Sequence, residues 1–241
     1  MRKVDHITGL RQRMEKLERG LSGMPSARLS FGLGAIDDVV EGGLAAGRMH
    51  EVNGLAAWSL TLVLAGRSGG PVLWCARTPG KAGSSDHRLY PPGCVAFGFQ
   101  PSQLVQVFCA NRQELLWACE EALRSAALSL VVMEDTGNDG SAISLTAARR
   151  LQLAAEAGRT PGLVVSMEPE KAVFPAATTR WQASPAPSDG SHLRMALQLT
   201  RNRAGRGGQW MVEWNETARH LSVVSSPCRR PGNAANAQLA G

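Results

Sequence analysis

The spacing of apolar positions changes along the chain and divides it into segments. Leu10, Met14, Leu17 and Leu21 recur at offsets of four, three and four, the spacing of one helical face. Arg11, Arg13, Lys16 and Arg19 occupy much of the remaining surface, and Gly20 or Gly23 can end the helix. A short amphipathic helix around Ala35 to Val40 leads through a glycine turn to a strand from Arg48 to Val52. A helical pattern then runs to Gly66, and a Gly-Gly-Pro turn introduces an apolar strand within Gly70–Ala76. From Arg112 to about Ala127, Leu115, Leu116, Cys119, Leu123 and Ala126 share a helical face, and this helix feeds the run SLVVMED at Ser129–Asp135. The same order recurs in the helical Ile143–Gly158 and the strand GLVVSME at Gly162–Glu168. Helices alternating with apolar strands predict an α/β fold with a mostly parallel central sheet flanked by helices. Near the end, residues 195–200 and 210–214 alternate apolar and polar, as half-buried strands of a hairpin do, around a turn containing Gly205, Gly207 and Gly208. Ser225–Gly241 has no apolar period and is rich in Pro, Asn, Ala and Gly, so a disordered tail is expected. The division is a basic N-terminal helix and linker at 1–26, a core at 27–224 and a tail at 225–241.

Composition permits one sizeable core: the chain has 241 residues, 44% of them hydrophobic. Its net charge of +6 suits a polyanion or an acidic protein surface without proving either. Cys75, Cys94, Cys109, Cys119 and Cys228 form no C-x-x-C pair and have no histidine at zinc-ligand spacing. They read as small buried hydrophobes in a reducing cytoplasm, and no metal or other cofactor is expected. No apolar run is long enough for a membrane span, and no hydrophobic signal core opens the chain.

The run Glu51–Thr61, EVNGLAAWSLT, lies between a strand and a helix, where a phosphate-binding loop would sit. Such a loop reads G-x-x-x-x-G-K-[ST]: glycines allow backbone N–H groups to turn toward phosphate, and the lysine neutralises its charge. Set on Gly54, the register puts Ser59 at the second glycine, Leu60 at the lysine and Thr61 at the magnesium-binding hydroxyl. A charge-assisted hydrogen bond to phosphate is worth roughly 1.5 to 3 kcal/mol, and Leu60 supplies none. Glu134 and Asp135 end a buried strand at the place where a nucleotide hydrolase holds its magnesium-orienting carboxylate. The chain is expected to keep the architecture of a nucleotide-dependent machine without being an enzyme.

The phrase from Leu29 to Gly54 resembles the opening of the RecA core. It is more similar still to the ImuA family, RecA-like accessory proteins of bacterial DNA-damage-induced mutagenesis. The residues that carry the likeness are FGLGAID at Phe31–Asp37, Gly42 and Gly43, His50 and Glu51, GPVLWC at Gly70–Cys75 and LYPPG at Leu89–Gly93. RRLQLAAEAG at Arg149–Gly158, TRWQASPAPS at Thr179–Ser188 and QWMVEWN at Gln209–Asn215 continue it in the same order.

The resemblance implies a single RecA-like core. The acidic general base that RecA carries on the strand after the phosphate loop has Ala76 and Arg77 in its place. The second DNA-lining loop corresponds to Met167–Arg180, where Lys171 and Arg180 are candidate contacts beside Glu168 and Glu170. Arg201 and Arg203, flanking Asn202, resemble a basic-Asn-basic element that in RecA reaches toward the neighbour's nucleotide, which makes them, with Arg206 in the same basic patch, candidate partner or DNA contacts; a solvated hairpin tip is the alternative. RecA's N-terminal helix packs on a neighbouring subunit, so Leu10, Met14, Leu17 and Leu21 are a candidate interface; packing on the chain's own core is the alternative. The partners implied are an ImuB-like polymerase homologue and RecA. An error-prone C-family polymerase and the sliding clamp would be reached indirectly, and single-stranded DNA is a further candidate. The function expected is a noncatalytic adaptor in translesion synthesis. Two alternatives stand beside it: an ATP-dependent DNA-binding ATPase, needing a cation from Arg67, Lys81 or a partner to replace Leu60, and a damage-induced cell-division inhibitor.

Overall fold

The computed structural model describes residues 27–78, 88–135, 142–168, 174–188 and 192–225. The expected N-terminal helix with Leu10, Met14, Leu17 and Leu21, the candidates Lys81 and Lys171, and the tail from residue 226 lie outside them.

A nine-stranded sheet organises the chain. Its strands are β3 (Met49–Asn53), β4 (Val72–Arg77), β5 (Leu104–Cys109), β6 (Leu130–Glu134), β7 (Gly162–Ser166), β8 (Thr179–Pro185), β9 (Leu193–Asn202), β10 (Gly208–Asn215) and β11 (His220–Ser225). Their spatial order is β11-β10-β9-β8-β3-β7-β6-β4-β5, parallel from β8 to β5 and antiparallel from β8 to β11. A two-stranded ribbon, β1 (Arg28–Leu29) with β2 (Leu44–Ala45), precedes it. The helices are α1 (Gly34–Asp37), α2 (Ala57–Arg67), α3 (Arg112–Arg124) and α4 (Leu145–Gly158), with a 3-10 segment at Pro91–Phe97.

Burial follows position in the sheet. Every residue of β3, β6 and β7 is buried, as expected of central parallel strands covered on both faces. β8, β9 and β10 alternate between buried and half-buried side chains, because only one of their faces is covered. That covered face holds Trp181, Leu197, Trp210 and Trp214 in one core with Phe31, Leu60 of α2 and Trp74. A second core, on the other face, joins Leu115, Cys119 and Leu123 of α3 to Leu151 and Ala155 of α4. Cys75, Cys109 and Cys119 meet there. Burial pushes the Cys109 thiol up to about 11 and Cys119 well above its ordinary value.

The FGLGAID phrase has a structural cause. The Asp37 carboxylate accepts hydrogen bonds from the backbone N–H groups of Phe31, Gly32 and Leu33 at 2.8, 3.0 and 3.1 Å and from the Ser30 hydroxyl at 2.7 Å. One acid thereby satisfies a run of donors that no strand or helix would pair.

Candidate functional site

The loop that would receive a phosphate is short and turned inward. β3 ends at Asn53 and α2 begins at Ala57, which leaves Gly54, Leu55 and Ala56 between them. The Gly54 N–H donates to Ser166 O at 2.9 Å and the Ala56 N–H to Ala183 O at 3.1 Å. The Ala57 N–H is taken by Gly54 O at 2.8 Å and that of Leu60 by Ala56 O at 3.1 Å. Amides that a phosphate cradle would present are therefore used by the fold itself. Gly54 is required for another reason: at φ +109° its hypothetical Cβ would lie 2.3 Å from Ala183 O. Close packing against β8 accounts for this glycine without any ligand.

The motif positions have been wound into the helix. Leu60 is fully buried in the α2-side core. The Thr61 hydroxyl donates to Ala57 O at 2.8 Å and is fully buried. Ser59 is half-buried, and Leu55 is exposed at the tip of the turn. Trp58 meets Trp74 edge to face, ring centroids 5.6 Å apart.

The strand-end acids have protein partners. Glu134 accepts a hydrogen bond from the Trp74 indole at 3.3 Å. Asp135, 2% exposed, forms an ion pair with Arg112 in the first turn of α3. Among the described residues, no group of three or more His, Cys, Asp or Glu is placed to hold a metal ion.

A second constellation, which sequence reasoning did not assemble, surrounds Glu51. This carboxylate is fully buried in the middle of β3. Arg180 Nε donates to it at 2.6 Å, Asn53 Nδ2 at 3.2 Å and the Phe174 N–H at 3.3 Å. Arg180 also donates to Phe174 O at 3.1 Å, Arg201 to Pro175 O at 2.9 Å and Arg203 to Ala176 O at 3.4 Å. Three arginines thus hold one turn. Arg180 is paired with a buried acid, and an unpaired carboxylate at this depth would be costly. Arg201 is half-buried, while Arg203 and Arg206 are exposed near the hairpin tip. Asn202 shapes that tip, donating to Val39 O and Arg206 O and accepting from the Ala204 N–H. The signal available in the sequence was Glu51 itself, an acid within a strand otherwise destined for burial.

Beside Glu51, His50 is fixed as a neutral ring. It is 1% exposed, with Nδ1 2.8 Å from the Thr179 hydroxyl and Nε2 3.1 Å from Ala45 O. A carbonyl can only accept, so Nε2 carries the hydrogen and Nδ1 accepts from Thr179. The Trp181 indole completes the chain by donating to Thr179 Oγ1 at 3.0 Å. Burial drives the His50 pKa down to about 4; the Ala45 hydrogen bond opposes this and the charges of Arg28 and Arg48 add to it.

The Gly54 turn and the basic hairpin leave β8 near different ends, with the Glu51 cluster between them on β3. Gly54 follows β3 beside Ala183, whereas the hairpin tip follows Asn202, which pairs with Thr179 at the start of β8. Along β8, Thr179 and Ala183 are four residues apart, about 13 Å.

Protein ImuA from two strains of Caulobacter vibrioides, NA1000 and CB 15, is 33% identical to this chain over 221 residues, spanning 80% of the chain and 85% of the relative in each case. The chain belongs to the ImuA family. A solved structure of the RadB recombinase superposes with a TM-score of 0.60 over 80% of the chain and 98% of that protein, at 19% identity. That likeness establishes the RecA-like recombinase fold. No family model matches the chain. Family membership adds weight to the blocks at Phe31–Asp37, Thr179–Ser188 and Gln209–Asn215, which the structure shows to be the Asp37 cradle, β8 with Arg180, and β10. No helix among the described residues is long and apolar enough to cross a membrane.

Proposed function

We propose that this ImuA-family chain is a noncatalytic RecA-like adaptor in DNA-damage-induced translesion synthesis, joining an ImuB-like polymerase homologue to RecA filaments or damaged DNA. The observation that carries the reading is the inward-turned Gly54 turn. The Gly54 and Ala56 amides serve the sheet and that of Ala57 the turn itself, Leu60 occupies the core, and the Thr61 hydroxyl serves its own helix. Nucleotide recognition would require undoing these contacts, whereas protein recognition requires only surfaces. A RecA-like core of this kind would dock against the end of a RecA filament through one face and, without nucleotide turnover, limit its growth. An error-prone C-family polymerase and the clamp would be brought in through the ImuB-like partner.

The test is the length and dissociation rate of preassembled RecA filaments on single-stranded DNA, titrated with the purified chain. Shorter filaments or a changed dissociation rate are expected at substoichiometric amounts. Filaments that neither bind the chain nor change would sink the filament-end role. An ATP-dependent DNA-binding ATPase would instead show phosphate release stimulated by DNA.

A further inference from the structure

β5 ends the nine-stranded sheet, and among the described residues β4 is its only neighbouring strand. Its outer edge is therefore a row of backbone groups with no strand beside them. One bond fixes which residues face that way. Cys109 O accepts from the Thr78 N–H at 2.8 Å, so Cys109 turns its backbone toward β4. Backbone direction alternates along a strand, which turns Val105 and Val107 toward β4 as well, and Leu104, Gln106 and Phe108 outward. The Leu104 N–H is taken by Pro101 O, leaving its carbonyl. Sheets guard such an edge with lysine, proline or a bulge. The run LVQVFC at Leu104–Cys109 has no charge and no proline, and its register with β4 is unbroken. Val105 and Phe108 are instead 47% and 44% exposed.

The order of side chains favours one occupant, a second β5. Leu104 packs against the α2-side core and Val107 against the other, so Leu104, Gln106 and Phe108 share one face of the sheet and Val105 and Val107 the other. About Gln106 the strand is palindromic in character: a valine on either side, then Leu104 and Phe108. A two-fold axis through Gln106, perpendicular to the sheet, lays a second β5 antiparallel to the first with the same faces up. Gln106 then stands opposite Gln106, Val105 opposite Val107, and Leu104 opposite Phe108, the self-complementarity that such an axis demands. Backbone and side chains agree on this register. The two Gln106 residues exchange N–H···O bonds, and each Phe108 N–H meets the opposite Leu104 carbonyl. The valines fall at the non-hydrogen-bonded positions, where side chains approach most closely. Charge does not oppose the pairing. Arg88 lies over the Phe108 ring, 5.6 Å from its centroid. Phe108 is two residues from the axis in each copy, so the two rings stand roughly 14 Å apart, beyond the screening length of about 8 Å at physiological salt. One strand pair is small beside a standard interface of roughly 1,600 Å², so the dimer should dissociate on dilution.

We infer that two copies of this chain join edge to edge through β5, antiparallel about Gln106, and continue one sheet across the pair. This goes beyond the adaptor reading and does not depend on it.

The test is sedimentation velocity of the full chain over a dilution series, with charge placed at the axis. The wild type should pass from dimer to monomer as it is diluted. Gln106→Lys and Gln106→Glu each set like charges on residues whose Cα atoms are about 5.5 Å apart, and each variant alone should dimerise several-fold more weakly. Mixed in equal amounts, the two variants should pair again, which chains that had merely misfolded could not do. A wild type that stays monomeric throughout the series, a dimer that both variants leave unchanged, or a mixture that remains monomeric would each overturn the pairing.

Discussion

Replacing Leu60 by lysine restores, on paper, the missing phosphate ligand, and the structure predicts that it restores nothing else. Leu60 is fully buried in the α2-side core. Its substitution forfeits about 1.5 to 3 kcal/mol of apolar burial. An ammonium left unpaired at that depth is destabilising by about 3 to 5 kcal/mol unless it gives up its proton or the helix shifts. The two losses add to about 4.5 to 8 kcal/mol, less if the ammonium gives up its proton or the helix shifts, and are read as a lowered urea midpoint. The Gly54 and Ala56 amides would remain bonded to Ser166 O and Ala183 O, so saturating Mg-ATP should leave the melting temperature of Leu60→Lys unchanged. A cradle that could open would instead gain about 2.7 kcal/mol at a hundredfold excess of nucleotide over its Kd. A variant as stable as wild type that is further stabilised by ATP would refute the view that this turn is committed to the fold.

Two further predictions concern buried charge. Because the folded His50 pKa near 4 lies below its ordinary 6.5, both states are neutral above that value and His50 then costs nothing. As pH falls, the unfolded chain takes up a proton that the native ring refuses. Stability should therefore drop by about 1.4 kcal/mol per pH unit between roughly pH 6.5 and 4, about 3 kcal/mol in all, and this part should level off below. Urea unfolding across that window should show a shallower slope for His50→Gln, and an identical slope in the variant would contradict the assignment. Arg180→Ala, which strands the fully buried Glu51, should cost about 3 to 5 kcal/mol, and pairing Arg180→Met with Glu51→Gln should recover part of it. A surface residue that served only DNA would show almost no change in unfolding midpoint.

The central strands were legible because their apolar runs are bounded by glycine or proline and fed by amphipathic helices. β3, β6 and β7 appear within a residue or two of where that pattern places them. The hairpin of β9 and β10 followed from simple alternation, and Trp210 and Trp214 pack in the core on either side of Val212. β5, β8 and β11 were not read as strands. β5 and β11 are edge strands with one neighbour each, and β8 ends in a proline, so local pattern understates pairing that the sheet supplies. The helix expected around Ala35–Val40 is a single turn at Gly34–Asp37, and the turns that extend it stop where Glu41, Gly42 and Gly43 take positive φ. At the site, the departures at Ser59 and Leu60 could be read directly. The fate of the amides could not, since it depends on Ser166 and Ala183, far away in sequence. The grip of Arg180, Arg201 and Arg203 on one turn was likewise invisible, because spacing shows charge and not the acid or carbonyl that consumes it.

The most direct test of the adaptor reading is an affinity titration of the purified chain against its ImuB-like polymerase homologue, with and without Mg-ATP, with phosphate release followed in the same samples. The account predicts one Kd in both conditions and no release above the buffer rate. Binding that appears only with ATP, or release that rises with the chain's concentration and disappears when Gly54 is replaced, would contradict it.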